Sequence, residues 1–192
     1  MRRDTVALAG ALLLAGCPIP QAVPELEGAV APPRIVMANS TTQIAYPATV
    51  IPVASGCAAH PTFDLSTELR DSVTDESIQA RWFVNYDLAN GFSQTPQHQQ
   101  TISVMDSNDP TLRRTDTWTF DPYAYPSYTG GVGSADGALH VVELVVSNGF
   151  SGGGPLPNRS PAAGFEVQLY RWVFLNAPEP GGCTSGAAGC CP

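Results

Sequence analysis

The chain has no lysine, and arginine supplies all nine of its basic residues. Against 17 acidic residues this leaves a formal net charge of −8. A nucleic-acid binder needs a basic stripe to neutralise phosphates, so that class of partner is excluded. Charged residues amount to 14%, below the roughly 25% usual in soluble domains. The hydrophobic share of 43% is still too high for a disordered chain. No apolar run reaches about 18 residues, so no membrane-spanning helix is expected. The three histidines have no metal-ligand spacing, and neither a metal nor a cofactor is expected. What abounds is turn chemistry: 18 glycines and 18 prolines in 192 residues. The class that remains is a loop-rich, all-β, exported protein.

The first residues read as an address. Met1-Arg2-Arg3-Asp4 is a short charged start, and Thr5 to Ala15 is an apolar stretch with the shape of a secretory h-region. It ends in Leu14-Ala15-Gly16-Cys17. This tetrapeptide resembles the lipobox of bacterial lipoproteins processed by the type II signal peptidase, with Asp4 as a departure from the usual charged start. The resemblance covers residues 1–17. It implies that 1–16 is a signal peptide and that cleavage before Cys17 leaves this cysteine as the lipidated first residue. Three acyl chains anchor stably, because each buried methylene contributes about 0.8 kcal/mol. The implied partner is therefore a membrane, held through a lipid anchor. Pro18 stands where an aspartate would retain the protein at the inner membrane, so the resemblance points to the outer membrane of a cell envelope.

The lipid-anchored tether spans 17–33, and residues 18–33 contain five prolines. Proline fixes φ and removes amide donors, so the tether reads as an extended, semi-rigid spacer. The other end, 178–192, is a Gly/Cys-rich tail with almost no core-forming side chains. Beyond Cys17 the cysteines are Cys57, Cys183, Cys190 and Cys191. An even number in an oxidising compartment favours two disulfides. A Cys190–Cys191 bond would close a strained ring, so pairings of Cys57 with a tail cysteine are preferred. Such a bond closes a loop of roughly 100 residues or more and contributes up to about 4–5 kcal/mol in the chain-entropy model.

The body, 34–177, holds seven β-rich runs: Ile44–Val53, Thr62–Leu69, Gln79–Tyr86, Gln99–Met105, Thr115–Phe120, Leu139–Ser147 and Phe165–Leu175. Turn signals between them predict a two-sheet β-sandwich of about seven strands with long loops. Trp82 alternates with Val84 and Tyr86 on one face and resembles the core tryptophan of immunoglobulin-like domains, which implies an immunoglobulin-like two-sheet β-sandwich. The run from His140 to Asn148 resembles the penultimate strand of the PKD type, with its Y-x-V-x-L-x-V pattern. Here His140 replaces the tyrosine, and a ring nitrogen is expected to make a similar corner hydrogen bond. The last run changes parity midway, which calls for a bulge near Leu169–Tyr170 or a loop over one face. The surplus length lies in the loops 122–137 and 148–164.

Candidate chemistry is sparse. Ala58-Ala59-His60 and Gly149-Phe150-Ser151-Gly152-Gly153 resemble the A-A-H and G-D-S-G-G motifs of chymotrypsin-like proteases, with Asp106 between them. Phe150 replaces the aspartate, Gly154 is extra, and the His60–Ser151 span is short for two barrels. No catalytic set is therefore assigned, and a serine hydrolase using Ser151 with His60 is the alternative. Gly149-x-Ser151-x-Gly153 also matches a nucleophile elbow, but no histidine follows it in the chain. Asp106–Asp109 and the Asp71/Asp75/Glu76 group read as turn chemistry. The binding-patch candidates are Trp118, Tyr123, Tyr125 and Tyr128, on and beside a proline-stiffened loop. Rigid tyrosines lose little entropy when immobilised and suit peptide or sugar faces. The alternative is that these rings pack the loop onto the sandwich. The expected function is a non-enzymatic binding or assembly module on a stalk, with a protein or glycan partner.

The cysteine reading predicts that Cys57, Cys183, Cys190 and Cys191 become alkylatable only after reduction. Alkylation of all four in the native, unreduced protein contradicts it.

Overall fold

The computed structural model describes residues 31–40, 50–55, 62–90, 93–103, 109–153 and 156–177. The expected signal peptide, Cys17 and nearly all of the expected tether lie outside the described residues, as do Cys57, His60, Asp106 and the tail with its three cysteines. Among the described residues no helix is long and apolar enough to cross a membrane.

Among the described residues nine strands form two packed sheets: β1 (Arg34–Ser40), β2 (Val50–Ala54), β3 (Phe63–Arg70), β4 (Ile78–Val84), β5 (His98–Ile102), β6 (Leu112–Arg114), β7 (Trp118–Phe120), β8 (Leu139–Ser147) and β9 (Gln168–Ala177). The four-stranded sheet runs β1-β3-β6, with β7 also on β3. The five-stranded sheet runs β2-β9-β8-β4-β5, and β2 lies parallel to β9. The chain thus places β1 in one sheet and β2 in the other before the remaining strands complete the two-sheet sandwich. The sequence reading of about seven strands omitted β1 and the three-residue β6.

Alternation builds the core. On β3, Phe63, Leu65, Thr67 and Leu69 are buried and the residues between them are half-buried. On β4, Ile78, Ala80, Trp82 and Val84 face inward, and Trp82 is fully buried, as its position on the strand predicts. Aromatic rings join the layers: Phe174 of β9 lies 4.8 Å from both Phe63 and Phe120 of the opposite sheet. Trp82 meets Trp118 across the layers at 6.4 Å. Such pairs add about 0.5–1.5 kcal/mol each beyond the area they bury.

The expected bulge in the last strand is not there. Pairing of β8 with β9 runs unbroken from Leu139↔Leu175 to Val146↔Gln168. Tyr170, Trp172, Phe174 and Asn176 keep one parity, toward the core. Phe165 precedes the strand and packs on Gly149, where a Cβ would come within 2.9 Å of the ring. The parity change therefore marks the strand's start, with Val167 and Leu169 left outward and exposed.

At the opening of β8, His140 makes the corner bond. Its Nε2 lies 3.0 Å from the carbonyl of Gly133, which also accepts from Asn176 Nδ2 at 2.7 Å. Gly133 has to be glycine, because a Cβ would stand 1.8 Å from the Tyr125 carbonyl oxygen. Burial holds the His140 pKa below its ordinary 6.5, against the opposing pulls of the Gly133 carbonyl and Asp121. The unfolded chain takes up a proton as pH falls through 6.5, whereas the buried ring does not. Stability from this residue is therefore complete above that pH and declines as pH drops below it, levelling off below the folded-state value. The urea midpoint should fall between pH 7.5 and pH 5.5, and His140→Gln should flatten that dependence; an unchanged slope in the variant assigns the effect elsewhere.

Candidate functional site

The aromatic loop grows from a local cap. Asp121 accepts a hydrogen bond from the amide of Tyr123 at 2.8 Å and starts the 3-10 turn Pro122–Ala124. Proline at the first turn position fixes φ there and lacks an amide that would go unpaired. The turn directs the Tyr123 hydroxyl to the carbonyl of Ala54, at the end of β2. The Tyr125 ring stacks on Phe120 at 5.7 Å, and burial, then the Asp121 charge, raises its pKa. Trp118 lies parallel to His98, with centroids 6.1 Å apart, and tilts against Phe120. Tyr128 is different: it is 50% exposed, and its amide donates to the Leu139 carbonyl. The chain then turns at Gly130 and Gly131, whose φ values of 88° and 94° suit glycine. The four aromatic candidates therefore do not share one open face. Trp118, Tyr123 and Tyr125 are partly buried against the core, and Tyr128 points outward.

A third layer lies on the outer face of the five-stranded sheet. Outward-facing Phe83, Glu143, Val145 and Ser147 are all buried. The cover is the loop 148–164, with Phe150 bridged to Pro161. Glu143 accepts from Arg159 Nη1 at 2.8 Å and from Arg171 Nε at 2.9 Å. The Arg159 guanidinium also sits 4.1 Å above the Tyr86 ring, and the Tyr86 hydroxyl donates to the Pro157 carbonyl at 3.0 Å. Arg81 donates to the Asn158 carbonyl at 2.8 Å and lies 4.2 Å over the Phe150 ring. Sequence reasoning missed Glu143. Its signal was a lone acid inside the apolar run Val141-Val142-Glu143-Leu144-Val145-Val146, where only a partnered charge is tolerated.

Ser151 belongs to this covering loop. Its amide donates to the Ser160 carbonyl at 2.9 Å, and its hydroxyl donates to the Gly153 carbonyl. Of the described histidines, His98 stacks on Trp118 and His140 bonds Gly133. Asp71 accepts from the Val73 amide at 3.0 Å and from Asn148 Nδ2 at 2.7 Å. Asp109 accepts from the amide and hydroxyl of Thr111, and these bonds lower its pKa. Both acids thus serve turns. No group of three or more His, Cys, Asp or Glu able to hold a metal occurs among the described residues. No protein-family model, curated protein or solved structure matches this chain.

The packing predicts unequal costs. Tyr123→Ala and Tyr125→Ala should each lower unfolding stability by about 2 kcal/mol, less than a fully buried aromatic. Tyr128→Ala should stay within about 0.5 kcal/mol of the parent. Equal effects at all three positions by chemical denaturation contradict the split.

Proposed function

We propose that the chain is a lipid-anchored cell-envelope protein whose β-sandwich acts as a non-enzymatic binding or assembly module held on a proline-rich stalk. The observation that carries this reading is Leu14-Ala15-Gly16-Cys17 at the end of a short apolar stretch behind a charged start. Residues 18–33 then separate Cys17 from the first strand, and their five prolines favour an extended spacer over a packed element. The proposed site is the outer membrane, with the sandwich held off the lipid surface on its periplasmic or outer side. The kinship with PKD-type domains belongs to the same proposal and rests on the β8 pattern and the His140 corner.

A binding role also fits the side-chain chemistry. Among the described residues the Ser151 hydroxyl is partnered by the Gly153 carbonyl and not by a histidine, whereas a serine nucleophile needs a base to take its proton. Treating the full chain with a fluorophosphonate serine probe should give no labelling. Labelling at Ser151 that disappears in Ser151→Ala moves the reading to a serine hydrolase.

A further inference from the structure

Beside the covering loop, β4 and β5 pair with Gln79 opposite Thr101 and Arg81 opposite Gln99. With Ala80 and Gln100 these residues line an open depression of about 350 Å³, near the lower end of the roughly 300–1,000 Å³ range of small-ligand sites. On the outward face its lining offers the side-chain amides of Gln79 and Gln99, the Thr101 hydroxyl and the Arg81 guanidinium, and no carboxylate, while the Gln100 side chain stands on the other face of the sheet. The Gln100 oxygen is taken by the Asp116 amide at 2.8 Å. The side chains of Gln79, Gln99 and Thr101 face outward on the strand parity opposite to Ala80, Trp82 and Ile102.

Arg81 is the unusual member. Its contacts are one carbonyl, that of Asn158, and one ring face, that of Phe150. Neither neutralises its charge, although burial has stripped enough water to lower its pKa. The other arginines against this layer, Arg159 and Arg171, share Glu143 as their counter-ion. The loop thus fixes the plane of the Arg81 guanidinium at the wall of a polar depression and leaves further N–H groups of its fork to donate. A planar, oriented guanidinium matches a carboxylate in two parallel hydrogen bonds. The amides of Gln79 and Gln99 and the Thr101 hydroxyl each donate and accept, which suits neighbouring hydroxyls that do the same.

We propose that this depression is a subsite for an acidic saccharide, with a sugar carboxylate on Arg81 and ring hydroxyls on Gln79, Gln99 and Thr101. The assignment deepens the binding-module reading and rests on it. A saccharide is favoured over an acidic peptide because the available side chains stand on the sheet face and Arg81 lies on β4, one strand in from the edge strand β5, whereas an added peptide strand draws on backbone groups along that edge. The net charge of −8 repels anions at long range. That repulsion is screened beyond about 8 Å at physiological salt, while the short guanidinium pair is kept.

The test is titration of the full chain with digalacturonic acid by calorimetry, with maltose and a blocked Asp-Glu dipeptide as comparators. The expected result is saturable binding of the uronide and weaker binding of maltose. Arg81→Gln should weaken uronide binding about tenfold or more. Gln99→Ala, at an exposed position away from the covering loop, should weaken it several-fold with unchanged thermal unfolding. Loss in Arg81→Gln with no change in Gln99→Ala overturns the proposal, since the loss then reflects a disturbed loop. Uronide binding undiminished in both variants also overturns it, while leaving a binding module with its site elsewhere. Saturable binding of the dipeptide alone, or of none of the three probes, overturns it as well.

Discussion

One strand is buried on both faces, and that constraint organises the rest. Along β8, His140, Val142, Leu144 and Val146 enter the core while Glu143, Val145 and Ser147 are covered from outside. A two-layer sandwich covers only the inner face of each sheet, so β8 requires a third layer. The loop 148–164 provides it directly after the strand, held at its base by the Ser147 hydroxyl, which bonds the Glu166 carbonyl at 2.7 Å. A carboxylate at the centre of that covered face would be costly alone. Two arginines make it tolerable: Arg159, 13% exposed, and Arg171, 52% exposed, flank a Glu143 side chain at 5%. The more exposed pair contributes little by itself, and the value of the network lies in closing the loop at a defined place.

The same covering loop links packing to the proposed chemistry. By bringing Phe150 and the Asn158 carbonyl to Arg81, it orients a guanidinium that would otherwise sample many rotamers. Stalk, sandwich and third layer would then act in series. The stalk would set distance from the lipid and the sandwich would give a rigid platform, while the loop holds Arg81 at the wall of the polar depression on the outer face.

Much of the fold was legible where alternation is strong. The bounds Leu139–Ser147 read from the sequence are those of β8, and the core placement of Trp82 followed from its strand parity. The corner bond of His140 was legible because a ring nitrogen can reach where a tyrosine hydroxyl does. Elements that depend on distant partners were not. β6 is three residues long and exists through pairing with Glu68, Leu69 and Arg70 of β3, a partnership no local pattern announces. β1 is seven residues long, but its pairing with β3 carries a register shift between Ile35 and Met37. In the aromatic loop, composition identified the rings but not their sides. The Asp121 cap and the Ala54 carbonyl turn Tyr123 inward, and both are features of three-dimensional neighbourhood.

The central claim, a sandwich tethered to a lipid surface, is tested most directly by mass spectrometry of the N-terminal peptide of the mature protein taken from membranes of the source cells. The account predicts a chain that begins at Cys17 and carries a diacylglyceryl thioether on its sulfur. A mature chain that begins elsewhere, or one with an unmodified Cys17 thiol, contradicts it.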